Sequence, residues 1–463
     1  MKMIVTLHDK QKEIVRSTAR FKITRAGRRG GKSTGEIEQI VYKAVQKDKN
    51  RVLYLAPTQK QARAIIWEQL KSRLAGIGNA NESRLEMSVP TMDGGTAIIY
   101  VGGWENRENY RGMKFHHITF DELDTLKDFF IGWQEIFRPA LTDTAGTANF
   151  IGTPKKENQN LRRLEKVAEK DIDYECFHFT TYDNPHVPDS EINKAKQELD
   201  ADTFKQEYLA EYVDNIGALF KYDAIIDLFT NTTDEGKSYL IVDIADDGSD
   251  ATVFSLWNGL SAVKVIRESG LRTHDIIEKI REYTRDFKVP MSQVAVDAIG
   301  VGAGVASSPL LEGIIGYKGS YAAIKTEVSI IEVAGLRTVH PRLVSDYSNL
   351  RSQCMFKLAE LVNSRQIAVE TEDSRIKESI IEELTAYQDA SRGDGKAKVT
   401  SKEDVKSAIG HSPDITDTLQ MRMFFEIRKV IDSNNTPEFE FVKQQQQAMM
   451  RKTRNDKQSN STQ

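Results

Sequence analysis

A glycine-rich segment near the start of the chain has the residue types that bind a triphosphate. The segment RAGRRGGKST (25–34) follows an apolar run and opens a helical pattern. Backbone N–H groups of such a turn, together with the start of a helix, can surround phosphate oxygens. Lys32 is predicted to reach the β- and γ-phosphates and Ser33 to offer its hydroxyl to Mg²⁺, although Ala26 replaces the first glycine of GxxxxGK[ST]. The predicted nucleotide-binding residues of the loop are Gly27, Arg28, Arg29, Gly30, Gly31, Lys32, Ser33 and Thr34.

An apolar run that ends in two adjacent acids supplies the second part of such a site. In HHITFDE (116–122), Asp121 is predicted to hold the water shell of Mg²⁺, and Glu122 to orient or deprotonate the attacking water. An isolated acidic pair at the end of a buried strand is common without any catalytic role. Its position downstream of GGKS favours an ATPase that uses ATP and Mg²⁺.

Three further side chains fit the same site. Gln11, one helix upstream of the loop, is a candidate for the adenine edge, the alternative being a solvated helix residue. Arg111, in NYRGMKF, is a candidate arginine finger for the ATP of a neighbouring subunit, and Arg28 is a second candidate for charge stabilisation. Such a finger accelerates hydrolysis by roughly 10³–10⁵. The alternative for both arginines is a surface or ion-paired side chain.

Three carboxylates of the second half are predicted to converge on metal ions. Asp243 ends the apolar run YLIVD, Asp297 ends VAVD before a glycine-rich turn, and Asp414 opens the last long helical pattern. Carboxylates favour Mg²⁺ or Mn²⁺ over Zn²⁺, and two such ions about 3.5–4 Å apart activate water and stabilise the leaving oxygen of a phosphodiester. The alternatives are that Asp243 and Asp297 only begin turns and that Asp414 only caps a helix.

Alternating apolar and helical patterns indicate the fold that positions these residues. Strands separated by helices predict a mostly parallel, doubly wound sheet in the first half. The predicted strands are 21–27, 51–57, 96–103, 116–122, 147–154, 239–245, 251–258, 260–270 and 292–300, and the predicted helices include 32–47, 348–365 and 413–431.

Length and composition bound the possibilities. A chain of 463 residues predicts two domains. Changes of pattern along the chain place a first domain at 1–213, a linker at 214–236, a second domain at 237–431 and a flexible polar tail at 432–463. A net charge of −4 neither indicates nor excludes a nucleic-acid partner. No apolar run approaches the roughly 20 residues that span a bilayer, so no membrane association is expected. Cys176 and Cys354 are predicted to be reduced thiols.

The order of motifs in the first half resembles the terminase large-subunit family of tailed phages. RFKITRAGRRGGKST, APTQKQARAIIWEQL (56–70), the RG before the acidic strand, RPALTDTAG (138–146) and FIGTPK (150–155) recur there in this order. The resemblance implies an N-terminal P-loop fold of the ASCE or RecA-like type. It also makes Arg28 the loop arginine, Arg111 the trans-acting finger and Thr153 the residue that couples hydrolysis to movement. Lys156 departs from the glycine that many members carry there.

The second half resembles the RNase H-like nuclease domain of the same family. That family carries one aspartate on the first strand, another on a later strand and a third in a motif resembling DDxxDA. Here the motif reads SPDITDT, which makes Asp414 the matching ligand and Asp417 an acid close to the ligands. His411 is predicted to act as an auxiliary ligand or base.

The resemblance implies a function and its partners. ATP hydrolysis would drive double-stranded DNA into a procapsid, and the nuclease would cut concatemeric DNA in the host-cell cytoplasm. The expected partners are the portal protein, a small terminase subunit and further copies in a ring, of five subunits by resemblance. The alternatives are a DNA-repair helicase–nuclease, which needs a second motor domain, and an inactive DNA-binding scaffold. Phosphate contacts are predicted for basic residues that otherwise are solvated surface charges: Lys318, Lys325, Arg337, Arg342, Arg351 and the loop 392–402.

Overall fold

The chain forms two compact units, Met1–Asn215 and Ile216–Gln463, in a computed structural model. The structure describes residues 7–156, 158–214, 217–245, 251–325, 327–329, 342–391 and 395–433, with the backbone alone for 327–329, 342–344 and 430–433. Arg337, the side chain of Arg342, residues 392–394 of the predicted basic loop and the tail beyond 433 lie outside the described residues.

An eight-stranded sheet forms the centre of the first unit. Its strand order is β3-β4-β5-β2-β6-β7-β1-β8. The six strands β5, β2, β6, β7, β1 and β8 pair in parallel, whereas β4 pairs antiparallel with both β3 and β5. This arrangement confirms the mostly parallel α/β sheet predicted from the sequence. The strands are β1 (Phe21–Ala26), β2 (Arg51–Ala56), β3 (Asn79–Asn81), β4 (Glu86–Pro90), β5 (Thr96–Gly103), β6 (His117–Phe120), β7 (Thr147–Gly152) and β8 (Tyr174–Phe179).

Both faces of this sheet are covered, because successive side chains of each strand point to opposite sides. In β2, Leu53 and Leu55 join an aromatic-rich core on one face, while Val52 and Tyr54 pack with Ile40 on the other. The helices are α1 (Asp9–Arg16), α2 (Lys32–Val45), α3 (Gln59–Ala62), α4 (Glu68–Arg73), α5 (Phe129–Gly132), α6 (Arg138–Ala140), α7 (Asn160–Ala168), α8 (Asp189–Glu198) and α9 (Ala201–Tyr208), with π-helical turns at Arg63–Trp67 and Trp133–Phe137 and 3₁₀ turns at Trp104–Tyr110, Leu123–Thr125 and Thr181–Asp183.

A six-stranded mixed sheet forms the centre of the second unit. Its strand order is β13-β12-β9-β10-β11-β16, and β9, β10 and β11 are successive antiparallel neighbours. A separate antiparallel pair joins β14 to β15. The strands are β9 (Ser238–Asp243), β10 (Ala251–Asn258), β11 (Ser261–Ser269), β12 (Val294–Asp297), β13 (Ile315–Tyr317), β14 (Glu327–Ser329), β15 (Arg342–Val344) and β16 (Ala368–Val369).

Helices cover this sheet on both faces as well. Leu358 and Leu419 pack with Ile241 of β9 on one face, and Ile280 packs with Val242 on the other. The helices are α10 (Tyr222–Asp227), α11 (Thr273–Asp286), α12 (Val301–Ala306), α13 (Leu350–Asn363), α14 (Ser374–Ala386), α15 (Lys402–Ile409) and α16 (Asp414–Ser433), with 3₁₀ turns at Met291–Gln293 and Pro309–Leu311.

The expectations for the strands, the linker and the cysteines can be compared with these elements. Every predicted strand is present, most of them shorter than predicted. Part of the segment predicted as a linker is packed instead, because Tyr222 and Ile225 are buried in the core of the second unit. Cys176 and Cys354 are free thiols. None of the helices in the described ranges is long and apolar enough to cross a membrane.

The aromatic core of the first unit generates a stability prediction. Phe150 is fully buried, and its ring stacks on Phe120 with centroids 5.4 Å apart and meets Trp133 edge-on at 5.0 Å. Phe150→Ala is expected to destabilise the unit by about 3–5 kcal/mol, since it removes this burial and leaves a cavity. The measurement is urea-dependent hydrogen exchange of the β6 and β7 amides.

The control is Tyr42→Ala on α2, whose side chain is 58% exposed; it should shift stability by less than about 0.5 kcal/mol. Protection of β6 and β7 that is equal in Phe150→Ala and the unaltered chain would contradict this view of the core.

Candidate nucleotide and metal sites

The loop between β1 and α2 is folded tightly around the start of the helix. Arg29 has φ 59° and Gly31 has φ 90°, so the chain passes through left-handed backbone conformations there. A Cβ on Gly27 would lie 2.3 Å from the Tyr208 carbonyl oxygen, and one on Gly30 would lie 2.9 Å from the Gly27 carbonyl oxygen. Only glycine fits these two positions without displacement. The first turn of α2, with Ser33 and Thr34, therefore stands at the mouth of a compact glycine loop, the shape of a phosphate-binding site.

The ammonium of Lys32 is held at the end of β1. It donates to the carbonyl oxygens of Ala26 at 3.1 Å and Gly27 at 3.3 Å, and to Oγ1 of Thr153 at 2.8 Å. The Thr153 hydroxyl itself donates to the Ala26 carbonyl at 2.9 Å. Burial lowers the pKa of Lys32, and the nearby carboxylate of Glu122 opposes that shift. The predicted phosphate-binding lysine and the predicted coupling residue are thus in direct contact.

The acidic pair lies at the end of β6. Asp121 is 1% exposed; its Oδ1 accepts the Glu122 N–H at 2.8 Å, and its Oδ2 accepts the Tyr54 hydroxyl. Burial, with the adjacent Glu122 charge, raises the pKa of Asp121 to about 6. Glu122 has φ 50°, so the chain turns sharply out of the strand at this residue. A buried carboxylate of this kind gains most from a cation placed beside it.

Gln11 is hydrogen-bonded to the backbone of the glycine loop. Its side chain is 6% exposed; Nε2 donates to the Gly31 carbonyl at 2.7 Å, and Oε1 accepts the His8 N–H at 3.0 Å. His8 Nε2 lies 3.0 Å from the Gly30 carbonyl oxygen. Gln11 is therefore not a solvated helix residue. Its amide is engaged with the loop backbone, and its contact with adenine stays a prediction.

The two candidate arginines are both ion-paired within the chain. Arg28 pairs with Glu207, which also accepts Lys155 Nζ at 2.6 Å. Arg111 pairs with Glu108 at 2.7 Å and with Glu135 at 3.4 Å. Both side chains are largely exposed, at 65% for Arg28 and 47% for Arg111. Arg111 would have to leave its two carboxylates to act on the ATP of a neighbouring subunit.

Strand register brings two of the predicted acids of the second unit together. β9 and β12 are parallel neighbours with Val242 opposite Val296, so Asp243 and Asp297 follow as the next residue of each strand. α16 begins at Asp414, and Asp417 lies one turn further on. Asp243, Asp414 and Asp417 are 5%, 4% and 8% exposed. The sequence-based expectation that these acids share one end of the sheet agrees with this geometry.

A lysine lies among these acids. Lys402 Nζ is 2.6 Å from Asp417 Oδ2, 3.9 Å from Asp243 Oδ2 and 4.0 Å from Asp414 Oδ1. Asp297, Asp417 and Lys402 line one cavity of about 280 Å³. Among the described residues, no group of three Asp, Glu, His or Cys side chains has the geometry to bind a metal ion without rearrangement. The acids converge on a cation, and in this structure that cation is the ammonium of Lys402.

The electrostatics of the cluster are strongly coupled. Burial raises the pKa of Asp243 well above its usual range, and Lys402 opposes that shift. Burial also raises the pKa of Asp414, whose Oδ2 lies 3.9 Å from Arg267. Although burial opposes it, the carboxylates of Asp417 and Asp243 raise the pKa of Lys402. Asp417, Asp297 and Asp414 add to the raised pKa of Asp243, so the charges of the cluster depend on one another.

His411, predicted as an auxiliary metal ligand or base, has partners for both ring nitrogens. Nδ1 lies 2.9 Å from the Ser412 carbonyl oxygen, and Nε2 lies 3.2 Å from a Glu382 oxygen. The hydrogen bond to Glu382 raises the pKa of His411 to about 9. To act as a ligand or base, His411 would have to leave Glu382, and this role stays a prediction.

Sequence reasoning missed the residues that support these centres. Lys402 was grouped only with the basic loop 392–402, and the signal Ser401-x-x-Asp404 marks no more than the start of α15. Arg351 was predicted to contact DNA. Instead it donates to the Thr400 carbonyl at 3.1 Å and to the Tyr387 hydroxyl at 3.0 Å, so it holds the segment that leads to Lys402.

Comparisons with known proteins agree with the motif resemblance. Residues 23–226 match the family model described as "Terminase large subunit, T4likevirus-type, N-terminal". The terminase large subunit of Thermus virus P23-45 is 23% identical in an alignment that covers 66% of this chain and 71% of that protein. The large terminase ATPase domain of Thermus phage P74-26 aligns with 45% of this chain and 94% of its own, at 23% identity and a TM-score of 0.40. A mutant nuclease domain of the large terminase subunit of bacterial virus Sf6, solved with manganese and beta-thujaplicinol, aligns with 44% of this chain and 98% of its own, at 19% identity and a TM-score of 0.36.

The position of Lys402 generates a prediction about cation binding. In Lys402→Met, the unfolding free energy without metal should fall by about 1–3 kcal/mol, a value discounted because the lysine is partly exposed. Mn²⁺ should then raise the melting temperature of the variant more than that of the unaltered chain, because no ammonium competes for the carboxylates. The measurement is thermal unfolding in EDTA and across a Mn²⁺ titration.

Lys398→Met, which removes an exposed lysine of the same cavity, is the matched control and should leave both quantities unchanged. A Lys402→Met protein that gains no more from Mn²⁺ than the control would show that the ammonium does not stand in for a metal.

Proposed function

We propose that this chain, which belongs to the terminase large-subunit family, is an ATP-driven motor for double-stranded DNA and a metal-dependent endonuclease. The motor translocates viral DNA into a procapsid, and the nuclease cuts concatemeric DNA. The observation that carries the proposal is a pair of separate charged centres at the carboxyl ends of parallel strands. Lys32 and Asp121 belong to the first centre, and the acids around Lys402 belong to the second.

The first centre has the parts of an ATP hydrolysis site. The glycine loop and Lys32 would bind the phosphates, while Ser33 and Asp121 would hold Mg²⁺. The buried position of Asp121 supports this assignment, since its carboxylate has one neutral donor and one backbone N–H as partners. Mg²⁺ neutralises charge on the β- and γ-phosphates. Glu122, turned out of the strand by its left-handed backbone, would orient the attacking water.

Contacts of Lys32 support a coupling role for Thr153. When Lys32 turns to a phosphate, it must release Thr153 Oγ1, its partner at 2.8 Å. The segment that follows Thr153 is tied down nearby: the Lys155 N–H is bonded to Asp124 at 2.9 Å, and its ammonium pairs with Glu207. Because Glu207 also binds Arg28 of the loop, loop and segment share one carboxylate. Phosphate binding would thereby change the contacts of the segment after β7.

The second centre fits divalent cations. Asp414 Oδ2 is a buried oxygen without a hydrogen-bond partner among the described residues, an arrangement that a bound cation would relieve. Asp243, Asp297 and Asp414 would hold two Mg²⁺ or Mn²⁺ ions, with Asp417 beside them. Such a pair activates water and stabilises the leaving oxygen. The bound ions would displace the Lys402 ammonium from the acids, and the ammonium would then neutralise charge on the scissile phosphate.

Family membership supports the proposed partners. They are double-stranded DNA, the portal protein of the procapsid, a small terminase subunit and further copies of this chain in a ring of five, in the host-cell cytoplasm. The exposure of Arg111 agrees with an action on a neighbouring subunit. Lys398, exposed in the cavity of the second centre, is suited to a DNA phosphate.

A repair helicase–nuclease is disfavoured by the second unit. Its first strand β9 ends in the cluster acid Asp243, and the sequence after it, IADDGSD (244–250), lacks the GxxxxGK[ST] pattern of a second phosphate loop. Assays of ATP hydrolysis and DNA nicking distinguish the proposal from an inactive scaffold, which would show neither activity.

Separate inactivation of the two centres tests the proposed function. Lys32→Ala should lower ATPase activity by at least roughly 100-fold, because it removes a preorganised cation from the phosphates, while Mn²⁺-dependent nicking of plasmid DNA persists. Asp297→Ala should abolish nicking and leave ATP hydrolysis intact. Loss of both activities in either variant, or of neither, would contradict two independent centres, and strand separation by the unaltered chain would favour the helicase.

Thr153→Val tests the coupling role. The valine keeps the volume but removes the hydroxyl that Lys32 contacts, so nucleotide affinity should change by less than about threefold, below 1 kcal/mol, while DNA translocation on the procapsid is lost. Thr153→Ser, which keeps the hydroxyl, should retain translocation. Translocation by Thr153→Val at the rate of the unaltered chain would rule out this residue as the coupling element.

A further inference from the structure

We infer that Glu36 is a positioning residue of the ATPase centre, whose buried carboxylate fixes the lysine-bearing helix to the two strands that carry the acids and the coupling threonine. The inference rests on the proposed ATPase function and adds a residue that touches neither nucleotide nor metal. Glu36 lies one turn after Lys32 on α2 and is 3% exposed. Both side chains line one small cavity of about 10 Å³.

The carboxylate of Glu36 is bonded to two different strands. Oε2 accepts the Thr119 hydroxyl of β6 at 3.0 Å. Both carboxylate oxygens accept the Asn149 amide of β7, at 3.1 Å and 2.9 Å. Gln39, on the same helix, donates a further hydrogen bond at 3.0 Å. A single side chain of the helix is thus hydrogen-bonded to two neighbouring strands of the sheet.

Sheet register connects these partners to the catalytic residues. Tyr54, Thr119 and Asn149 are successive partners across β2, β6 and β7. Tyr54 donates to Asp121, which stands two residues after Thr119. Asn149 stands four residues before Thr153. A displacement of Glu36 along the helix axis would therefore move Lys32 relative to both the acid and the coupling residue.

The energetics favour a geometric role over a purely stabilising one. Burying a carboxylate is costly, and well-packed apolar side chains usually stabilise such a position as well or better. Apolar packing alone does not define one position along a helix, whereas hydrogen bonds to fixed donors do. His117 is fully buried, and its Nε2 lies 3.2 Å from Thr119 Oγ1, so it belongs to the same hydrogen-bonded cluster. We therefore assign the polar cluster to positional accuracy at the loop.

The test compares steady-state ATP hydrolysis, ADP affinity and melting temperature of the full chain in three variants. Glu36→Met keeps the volume and removes both acceptors, so kcat should fall roughly 10–100-fold, with ADP affinity changed by less than about threefold. Glu36→Gln should keep kcat within about threefold, because the amide can accept from Asn149 and donate to Thr119. Glu38→Met, on the same helix but paired outward with Arg73 at 2.7 Å, is the matched control.

Should Glu36→Met fail to fold, Asn149→Ala removes the other side of the contact and should show the same loss of kcat. The inference is overturned by unaltered kcat in Glu36→Met, by an equal loss in the Glu38→Met control, or by a Glu36→Gln protein as slow as Glu36→Met. Failure of the proposed ATPase function would look different, since Lys32→Ala would then hydrolyse ATP as fast as the unaltered chain.

Discussion

Charge buried at the carboxyl ends of parallel strands is the constraint on which both units depend. Parallel strands end together at one edge of a sheet, so acids that follow neighbouring strands are forced close to one another. Asp121 at the end of β6, and Asp243 and Asp297 at the ends of β9 and β12, obey this rule. Carboxylates placed this way repel one another and lose solvation, and the rest of each unit supplies cations and donors that make the arrangement tolerable.

The two units meet this constraint with different devices. In the first, the cation is Lys32, which follows a glycine loop and is held by carbonyl oxygens at the end of β1. In the second, the cation is Lys402, which starts a short helix far along the chain and is brought in by a segment that Arg351 holds through Thr400. One device is local in sequence and the other is assembled by tertiary structure. In both centres a buried carboxylate remains that could bind a divalent cation.

This difference explains how much the sequence could predict. Apolar runs ending in acids identified the strands and acids of both centres, because a few consecutive residues suffice to show a buried strand and its end. The edge strand β3 is fully exposed and only Phe179 of β8 is buried, so neither strand shows a clear apolar pattern, and both were missed. The short strand β4 was missed as well, although its burial alternates. Lys402 and Glu36 were missed because nothing near them in sequence reports what they contact. Sequence spacing also does not show that Nε2 of His411, a predicted auxiliary ligand, lies beside Glu382 on α14.

The most direct measurement is anomalous diffraction at the manganese edge from crystals of the full chain soaked with Mn²⁺ and a non-hydrolysable ATP analogue. The account predicts one manganese beside Ser33 and Asp121 with the analogue's phosphates on the glycine loop, and manganese among Asp243, Asp297 and Asp414 with the Lys402 ammonium displaced. Manganese missing from the second set of acids, with Lys402 still seated among them and the analogue bound, would contradict the claim that this chain holds two separate centres for phosphate chemistry.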